Sequence, residues 1–280
     1  MKIVLTLLVR DESDIIGSNL AYHFSQGVDF VIAMDNGSRD GTDEILHEYA
    51  RHHPMEVLYE PASDYSQHRW VTGMARRAHE HYAADWVING DADEFFVWKS
   101  GTLRESFSTI PDAVRAFHAS RVDFVPFDRP NRKPPPEEMI YRKTRSLNLK
   151  DRPLPPKAIH RGDPDVVVTQ GNHGVRGPCF PNNLERGEIV VYHYPIRSYA
   201  QFETSVRNLG TSYAQNTELP ASAGFHSRYW YELLQKGKLP REYRRHYFKP
   251  RRLKRSLASS ELCEERTLAN RLTGEAGSFG

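Results

Sequence analysis

The chain has 280 residues, enough for one large domain or for one domain with an appendage. Its hydrophobic, aromatic and charged fractions of 39%, 11% and 26% are typical of soluble globular proteins, and its net charge of only +2 argues against nucleic-acid binding by the whole chain. No segment approaches the roughly 20 apolar residues of a membrane-spanning helix. Cys179 and Cys263 form no metal or disulfide motif, so we expect a cytoplasmic protein.

Apolar runs alternate with amphipathic segments through the first hundred residues, which predicts an α/β fold. The apolar runs predict strands at residues 3–9, 28–34, 56–59 and 86–88. The amphipathic segments predict helices at residues 13–26, from residue 42 onward and at 66–82. This alternation indicates a mostly parallel sheet with helices on both faces.

After residue 98 the pattern changes to that of a mixed sheet. Longer strands are predicted within residues 114–127, and short ones at 158–159, 166–169 and 189–192. A proline-rich loop is predicted at residues 129–138, and helices resume near residues 198 and 227. We expect residues 266–280 to be a flexible tail.

Three carboxylates, Asp91, Asp93 and Glu94, follow the strand at residues 86–88. They repel one another between apolar flanks, and a divalent cation would relieve that repulsion. Oxygen ligands suit Mg²⁺ or Mn²⁺, often together with substrate phosphates. The alternative is a polar turn between two strands.

Two further polar clusters, at residues 10–12 and 35–42, also follow predicted strands. Ligands of such sheets bind beyond the carboxyl ends of the strands, so the three clusters should share one rim. A carboxylate at Asp35 can accept hydrogen bonds from ribose hydroxyls or from a base N–H, although residues 35–37 alone would also suit a simple turn.

Basic residues and histidines supply candidate partners for anions and cations. Arg69 and Arg76 share one helix face and either could reach a phosphate or a base, or simply be solvated. Lys157 could neutralise a departing diphosphate. Among His160, His173 and His193, we expect His173 to complete the coordination of a cation held by the aspartates, because flanking glycines allow a close backbone approach.

These clusters together resemble the family 2 glycosyltransferases over roughly residues 1–200, in particular a bacterial subgroup with Asp-Ala-Asp-Glu-Phe at the metal site. Residues 9–12 stand where that family usually has Arg-Asn-Glu. Residues 35–42 resemble its nucleotide-contacting signature, and residues 91–93 resemble its metal motif.

The resemblance implies a GT-A-like fold and an inverting hexosyltransferase that moves a sugar from a UDP- or GDP-sugar to an acceptor hydroxyl. It implies Mn²⁺ or Mg²⁺ bridging Asp93 to the diphosphate, with Asp91 near the ribose or the metal. The expected metal ligands are therefore Asp91 and Asp93, to which the residue pattern adds His173. The residues expected to bind the nucleotide sugar are Val9, Arg10, Glu12, Asp35, Asn36, Ser38, Arg69, Arg76, Asp91 and Lys157.

The sequence departs from the family in lacking a Glu-Asp pair that supplies the acceptor-deprotonating base. We expect Glu94 to take that role, with Glu185 and Asp123 as alternatives. The resulting division is a catalytic domain at 1–200, with a nucleotide-binding half at about 1–98 and an acceptor half at about 99–200, followed by a basic helical extension at 201–265.

The same resemblance places the enzyme in bacterial surface polysaccharide or glycolipid assembly, with a glycan or lipid-linked acceptor. Residues 241–255 carry eight Lys or Arg and one Glu, and could contact the inner face of the membrane. Two other functions are alternatives. A nucleotidyltransferase would be expected to carry a glycine-rich loop after the first strand, and a non-catalytic binder of anionic polymers or membranes would leave three acidic rim clusters unexplained.

Overall fold

The computed structural model of the chain describes residues 1–62, 66–129, 133–216 and 223–274. The strands are β1 (Ile3–Val9), β2 (Phe30–Asp35), β3 (Met55–Tyr59), β4 (Trp86–Asp91), β5 (Glu94–Val97), β6 (Ala116–Asp123), β7 (Tyr141–Lys143), β8 (Lys157–Arg161), β9 (Val167–Val168), β10 (Val175–Arg176), β11 (Arg186–His193) and β12 (Leu262–Glu264). The helices are α1 (Ile16–Ser25), α2 (Thr42–His52), α3 (Gln67–Glu80), α4 (Leu103–Ser108), α5 (Pro135–Glu138), α6 (Tyr199–Gln215), α7 (Phe225–Gln235), α8 (Leu239–His246), α9 (Pro250–Ala258) and α10 (Thr267–Thr273).

Eight strands form one sheet in the order β3-β2-β1-β4-β8-β6-β11-β5. The pairs β3–β2, β2–β1, β1–β4 and β6–β11 are parallel, whereas β8 and β5 run antiparallel to their neighbours. Six of the eight strands therefore point the same way, which confirms the predicted mixed, mostly parallel sheet. Because β8 lies between β4 and β6, the two halves proposed from the sequence share one sheet.

Helices cover both faces of this sheet. Alternate residues of β1 face opposite sides, so Ile3, Leu5 and Leu7 pack with α1, α2 and α4 in one core cluster. Val4 instead joins a second cluster with Val71 of α3 and its helical neighbours. A strand buried on both faces needs a continuous apolar run, and the run at residues 3–9 supplied it.

The C-terminal part is helical and includes a docked last helix. The proline-rich loop contains the single-turn helix α5, and residues 130–132 lie outside the described residues. The predicted flexible tail is wrong for residues 267–273, which form α10: Leu268 is buried, and Arg271 donates hydrogen bonds to the Tyr22 hydroxyl and the Trp98 carbonyl. Residues 275–280 lie outside the described residues. Within the described ranges, no helix has the length and hydropathy needed to cross a bilayer.

Candidate functional site

The acidic strand ends meet at one edge of the sheet. Register fixes this, because Val9 of β1 pairs with Asp35 of β2, while Leu8 pairs with Asp91 of β4. Asp35 and Asp91 therefore flank the end of β1 on its two sides. The shared rim predicted from the sequence is present.

An outer cavity of about 650 Å³ opens beside Asp35 and is bordered by Ser38 and Tyr59. The Asp35 carboxylate accepts hydrogen bonds from the backbone N–H of Ser38 at 3.2 and 3.3 Å. The Asn36 amide donates to the carbonyls of Glu60 and Ala62 at 2.9 and 2.6 Å. Asn36 thus fixes the loop that forms the wall, while the Tyr59 side chain remains 69% exposed at its surface.

A central cavity of about 250 Å³ adjoins the outer one. Arg10 and Asn36 line both cavities, so the two are continuous along the rim. The predicted residues that line the central cavity are Val9, Arg10, Glu12, Asn36, Asp91 and Asp93. The Nε of Arg10 is buried and has no hydrogen-bond partner among the described residues, which leaves a donor unsatisfied where the cavities meet.

Lys157 and Glu94 lie beneath this cavity, and neither lines it. The Lys157 ammonium is 2.6 Å from Asp91 Oδ2 and 2.8 Å from Glu94 Oε2, and its side chain is only 1% exposed. Burial lowers the pKa of Lys157, but the two carboxylates outweigh that effect and raise it. Lys157 therefore holds the acidic turn in place and cannot reach a diphosphate without losing these partners, contrary to the role predicted for it.

Glu94 is likewise corrected as the candidate base. Its side chain is fully buried and accepts hydrogen bonds from the Asp91 backbone N–H at 3.3 Å and from Arg121 at 3.4 Å, in addition to Lys157. Burial raises its pKa, and the neighbouring Asp91 adds to the effect while Lys157 opposes it. A carboxylate engaged on both oxygens and shielded from the cavity cannot accept a proton from an acceptor there.

His193, not His173, is the imidazole beside Asp93. His193 Nε2 is 3.5 Å from Asp93 Oδ2, and its Nδ1–H donates to Asp123 Oδ1 at 2.8 Å. Burial would lower the pKa of His193, but Asp93 and Asp123 raise it to about 9. His173 lines a different cavity with His118, and its Nδ1–H donates to the Pro156 carbonyl at 2.8 Å. The predicted set of Asp91, Asp93 and His173 is therefore not brought together.

Arg197, which sequence reasoning missed, ties the rim together from below. Its fully buried guanidinium donates to the carboxylates of Glu12 and Asp14 and to the Tyr194 carbonyl, and lies 3.8 Å from Asp93 Oδ2. Burial raises the pKa of Glu12 to about 8, with the Asp93 charge adding to the effect while Arg197 opposes it. For Asp93, burial is outweighed by His193 and Arg197, which hold its pKa below its usual range.

The remaining predicted residues lie outside both cavity linings. Arg76 Nε donates to the Val166 carbonyl at 2.9 Å and Arg76 lines neither cavity, so its contact with a nucleotide stays a prediction. Arg69 is exposed at the start of α3 and borders neither cavity. Of the alternative bases, Asp123 is bound to His193, and Glu185 lines a third cavity at the opposite edge of the sheet.

A divalent cation that displaces the proton from His193 Nε2 could bind this imidazole nitrogen together with the Asp93 carboxylate and keep open positions. Ligands of such ions lie at roughly 2.0–2.2 Å from the metal, so two atoms 3.5 Å apart can share one ion. The Asp123 carboxylate behind His193 is the support that metal-bound histidines commonly have. Among the described residues no three His, Cys, Asp or Glu side chains form a closed cage, so phosphates or water would have to complete the coordination.

The model of glycosyltransferase family 92 matches residues 8–224. The chain belongs to glycosyltransferase family 92. This match spans the rim clusters, the outer cavity and most of the sheet, and it confirms the predicted enzyme class over the nucleotidyltransferase and the non-catalytic binder. The finer assignment to family 2 stays a prediction. No curated protein matches the sequence.

Solved glycosyltransferase structures show a distant similarity to this family 92 chain. S. aureus TarS residues 1–349 is 14% identical, and the match covers 81% of this chain and 68% of that one with a TM-score of 0.43. The UDP-GlcNAc complex of the same protein is 13% identical, and the match covers 100% of this chain and 77% of that one with a TM-score of 0.43. The longer TarS structure is covered to 41%. M. tuberculosis glucosyl-3-phosphoglycerate synthase with Mn²⁺ and UDP is 17% identical, with 45% and 44% covered and a TM-score of 0.29. Similarity this low assigns no substrate.

Proposed function

We propose that this family 92 chain transfers a hexose from a UDP- or GDP-sugar to an acceptor hydroxyl with inversion, assisted by Mn²⁺ or Mg²⁺. The observation that carries the proposal is the continuity of the two cavities along one sheet edge. Asp35 lies in the outer cavity and Asp93 in the central one, with Arg10 and Asn36 between them. A nucleoside, a diphosphate and a sugar follow one another in the same linear order.

The outer cavity suits the nucleoside. Its volume of about 650 Å³ is in the range of small-molecule sites, and its two distinctive groups are the buried Asp35 carboxylate and the exposed Tyr59 ring. The carboxylate can accept hydrogen bonds from ribose hydroxyls or a base N–H, and the ring offers a stacking surface for the base. TarS and glucosyl-3-phosphoglycerate synthase, the distant structural relatives, were both solved with UDP.

The junction of the cavities suits the diphosphate. Arg10 presents an unsatisfied buried N–H there, and Asp93 with His193 would hold the cation. When bound, that cation would stabilise the negative charge that develops on the departing diphosphate. Arg197 and Lys157 keep the carboxylates of the rim compact, so the site is assembled before the substrate arrives.

Nucleotide binding tests the proposal directly. UDP or GDP with Mn²⁺ should raise the melting temperature of the parent protein, because a ligand that binds only the folded state stabilises it by mass action. Asp93→Asn should lose most of that shift. Asp112→Asn, at an exposed carboxylate on the opposite edge of the sheet, is the matched control and should keep it. Slow hydrolysis of the nucleotide sugar by the parent, stimulated by Mn²⁺, should disappear in the Asp93 variant.

Two results would contradict the proposal. One is a parent protein whose melting temperature is indifferent to UDP, GDP and their sugars at millimolar concentration with Mn²⁺. The other is an Asp93→Asn variant that responds as strongly as the Asp112→Asn control.

We further propose that the enzyme is cytoplasmic and docks on the inner face of the membrane through the basic surface, where lipid-linked or glycan acceptors of polysaccharide or glycolipid assembly would be found. The basic surface comprises exposed cations of α8 and α9, and of the segment between these helices, without an acidic partner among the described residues. These are Arg241, Arg244, Lys249, Arg251, Lys254 and Arg255. Leu253 and Leu257 of α9 pack inward, so the contact would be electrostatic.

Vesicle sedimentation tests this contact. Changing Arg244, Arg251, Lys254 and Arg255 together to Gln should weaken binding to phosphatidylglycerol vesicles by more than 100-fold, because each cation near an anionic surface contributes about 1 kcal/mol. Binding should also decline with salt. The proposed contact would be refuted if the parent protein bound phosphatidylcholine vesicles equally well. It would also be refuted if the variant with four substitutions bound phosphatidylglycerol vesicles as tightly as the parent.

A further inference from the structure

The helices α6 and α7 form a wall of the central cavity that the donor site does not use. Four residues of α6 and one of α7 line it: Ser205, Asn208, Leu209, Ser212 and Trp230. This wall carries no charged side chain, in contrast to the sheet edge with Glu12, Asp91 and Asp93. Its chemistry is that of hydroxyls, an amide, an alkyl group and one aromatic ring.

The wall is fixed to the rim and is internally rigid. Asn208 donates from Nδ2 to Asp11 Oδ2 at 2.6 Å, which joins α6 to the loop after β1. Gly210 lets the two helices approach closely, because a Cβ at that position would lie 2.2 Å from the Tyr231 ring. A surface held in this way can present a preorganised binding face.

Trp230 lines the central cavity and is held by two other rings. Phe202 and His246 lie nearly perpendicular to its ring, at centroid distances of 5.0 and 5.8 Å and interplanar angles of 79° and 85°. Its indole Nε1–H is buried and has no acceptor among the described residues. A buried tryptophan N–H usually finds a partner, so an unpaired one in a residue that lines the cavity is a candidate donor to a ligand there.

We propose that this wall is the acceptor subsite and that it takes a carbohydrate ring, with Trp230 as the specificity-determining residue. A pyranose has apolar C–H faces that pack on an aromatic ring and hydroxyls that pair with serine and amide groups. The Trp230 indole N–H donates to one of those hydroxyls. The inference rests on the proposed glycosyl transfer, for which it names the acceptor class as a glycan and not an aliphatic alcohol or a phosphate ester.

Steady-state kinetics separate this role from a donor role. The probes are UDP-glucose, UDP-N-acetylglucosamine and GDP-mannose as donors, with the methyl α- and β-pyranosides of glucose, galactose and mannose as acceptors. Trp230→Ala should raise the acceptor KM about ten-fold, since it removes both the ring contact and a hydrogen bond. Trp230→Phe, which keeps a ring but loses the N–H, should give a smaller rise. The donor KM should move by less than two-fold in both.

Trp98→Phe is the matched control. Its indole N–H donates to Glu188 at 2.9 Å outside the central cavity, and the acceptor KM should stay at the parent value. Saturation-transfer NMR with UDP and the diamagnetic Mg²⁺ provides a second measurement, in which the glycoside signal of the parent weakens in Trp230→Ala.

Each contrary result is distinguishable. A Trp230→Ala variant with an unchanged acceptor KM, or with an equal rise in donor KM, overturns the acceptor assignment, and the second outcome moves the ring contact to the donor sugar. A parent that hydrolyses a nucleotide sugar but neither binds nor glycosylates any of the six glycosides also overturns it. A parent that neither binds nor hydrolyses any nucleotide sugar refutes the proposed function itself.

Discussion

Replacing Lys157 by Met should destabilise the fold chiefly through the carboxylate that it leaves behind. Glu94 is fully buried and, among the residues that the structure describes, would retain only Arg121, at 3.4 Å, as an ion-pair partner. Asp91 has a side chain that is 33% exposed and can be solvated instead. Removing one partner of a buried ion pair costs about 3–5 kcal/mol, and methionine fills most of the lysine volume, so we expect the free energy of unfolding to fall by about 3 kcal/mol at pH 7.

The loss should depend on pH in a defined direction. Without Lys157, burial raises the pKa of Glu94 further above its unfolded value, so the native state takes up a proton that the unfolded state does not. The penalty is therefore full above the raised pKa and shrinks as the pH falls through it. Urea unfolding at pH 7.5 and pH 5.5 measures the difference.

A double-mutant cycle isolates the pair. Glu94→Gln alone should cost less than Lys157→Met, because the lysine keeps Asp91, and the combined variant should recover about 2 kcal/mol relative to additivity. If Lys157→Met costs less than 1 kcal/mol, or the cycle shows no coupling, Glu94 is not the buried anchor described above. Retained turnover by Glu94→Gln would agree with that structural role, whereas a stable but inactive variant would restore Glu94 as the base.

Two other predictions concern stability. Gly73→Ala should raise the free energy of unfolding by about 0.5–1 kcal/mol, because Gly73 lies within α3 and an added Cβ would meet nothing within 4 Å. Gly162→Ala should lower the free energy of unfolding by about 2–3 kcal/mol, because its Cβ would lie 2.0 Å from the Ala84 carbonyl oxygen. Urea titrations of the two variants check this contrast. His23 and His160 are buried, and burial lowers the pKa of each to about 4. Their contribution to the free energy of unfolding is therefore complete above pH 6.5 and declines as the pH approaches 4, by at most about 3 kcal/mol for each histidine. A free energy of unfolding that does not change between pH 6.5 and pH 4 would refute this.

The first half of the fold was predictable because its signals are local. Strand β1 spans the predicted residues 3–9, since a strand covered on both faces must be apolar throughout. The rule that ligands bind beyond parallel strand ends then placed Asp35 and Asp91 together, and the register confirms that placement. No long-range information was needed for either step.

The burial of Glu94 could not be predicted from the neighbouring residues in the sequence. The chain reverses after β4, so that β5 pairs with β11, and this turn directs Glu94 inward to Lys157, which is 63 residues away in sequence. Three residues earlier, Asp91 remains partly exposed. Two acids of one short turn therefore have opposite environments, and only the long-range pairing decides which is buried.

For the histidines, position at a strand end was a better guide to the site than flanking glycines. Glycines around His173 suggested a close approach, but Gly171, with φ 73°, serves a tight turn in which His173 bonds to a backbone carbonyl. His193 ends β11, which is parallel to β6, and the strand-end rule that located the aspartates would have selected it. Arg197 left no comparable trace, because its partners Glu12 and Asp14 lie more than 180 residues away.

The position of β8 has a consequence for biosynthesis. On the ribosome, β4 is complete at residue 91 and can pair with β1, but it lacks its second neighbour until residues 157–161 have emerged, and β6 waits for the same strand. The nascent chain therefore carries the open edge of β4 from residue 91 to residue 157, joined by that of β6 from residue 123, the situation in which holding chaperones prevent intermolecular strand pairing. A chain shortened between residues 123 and 157 would leave both edges permanently unpaired, so expression of such N-terminal fragments should yield aggregates.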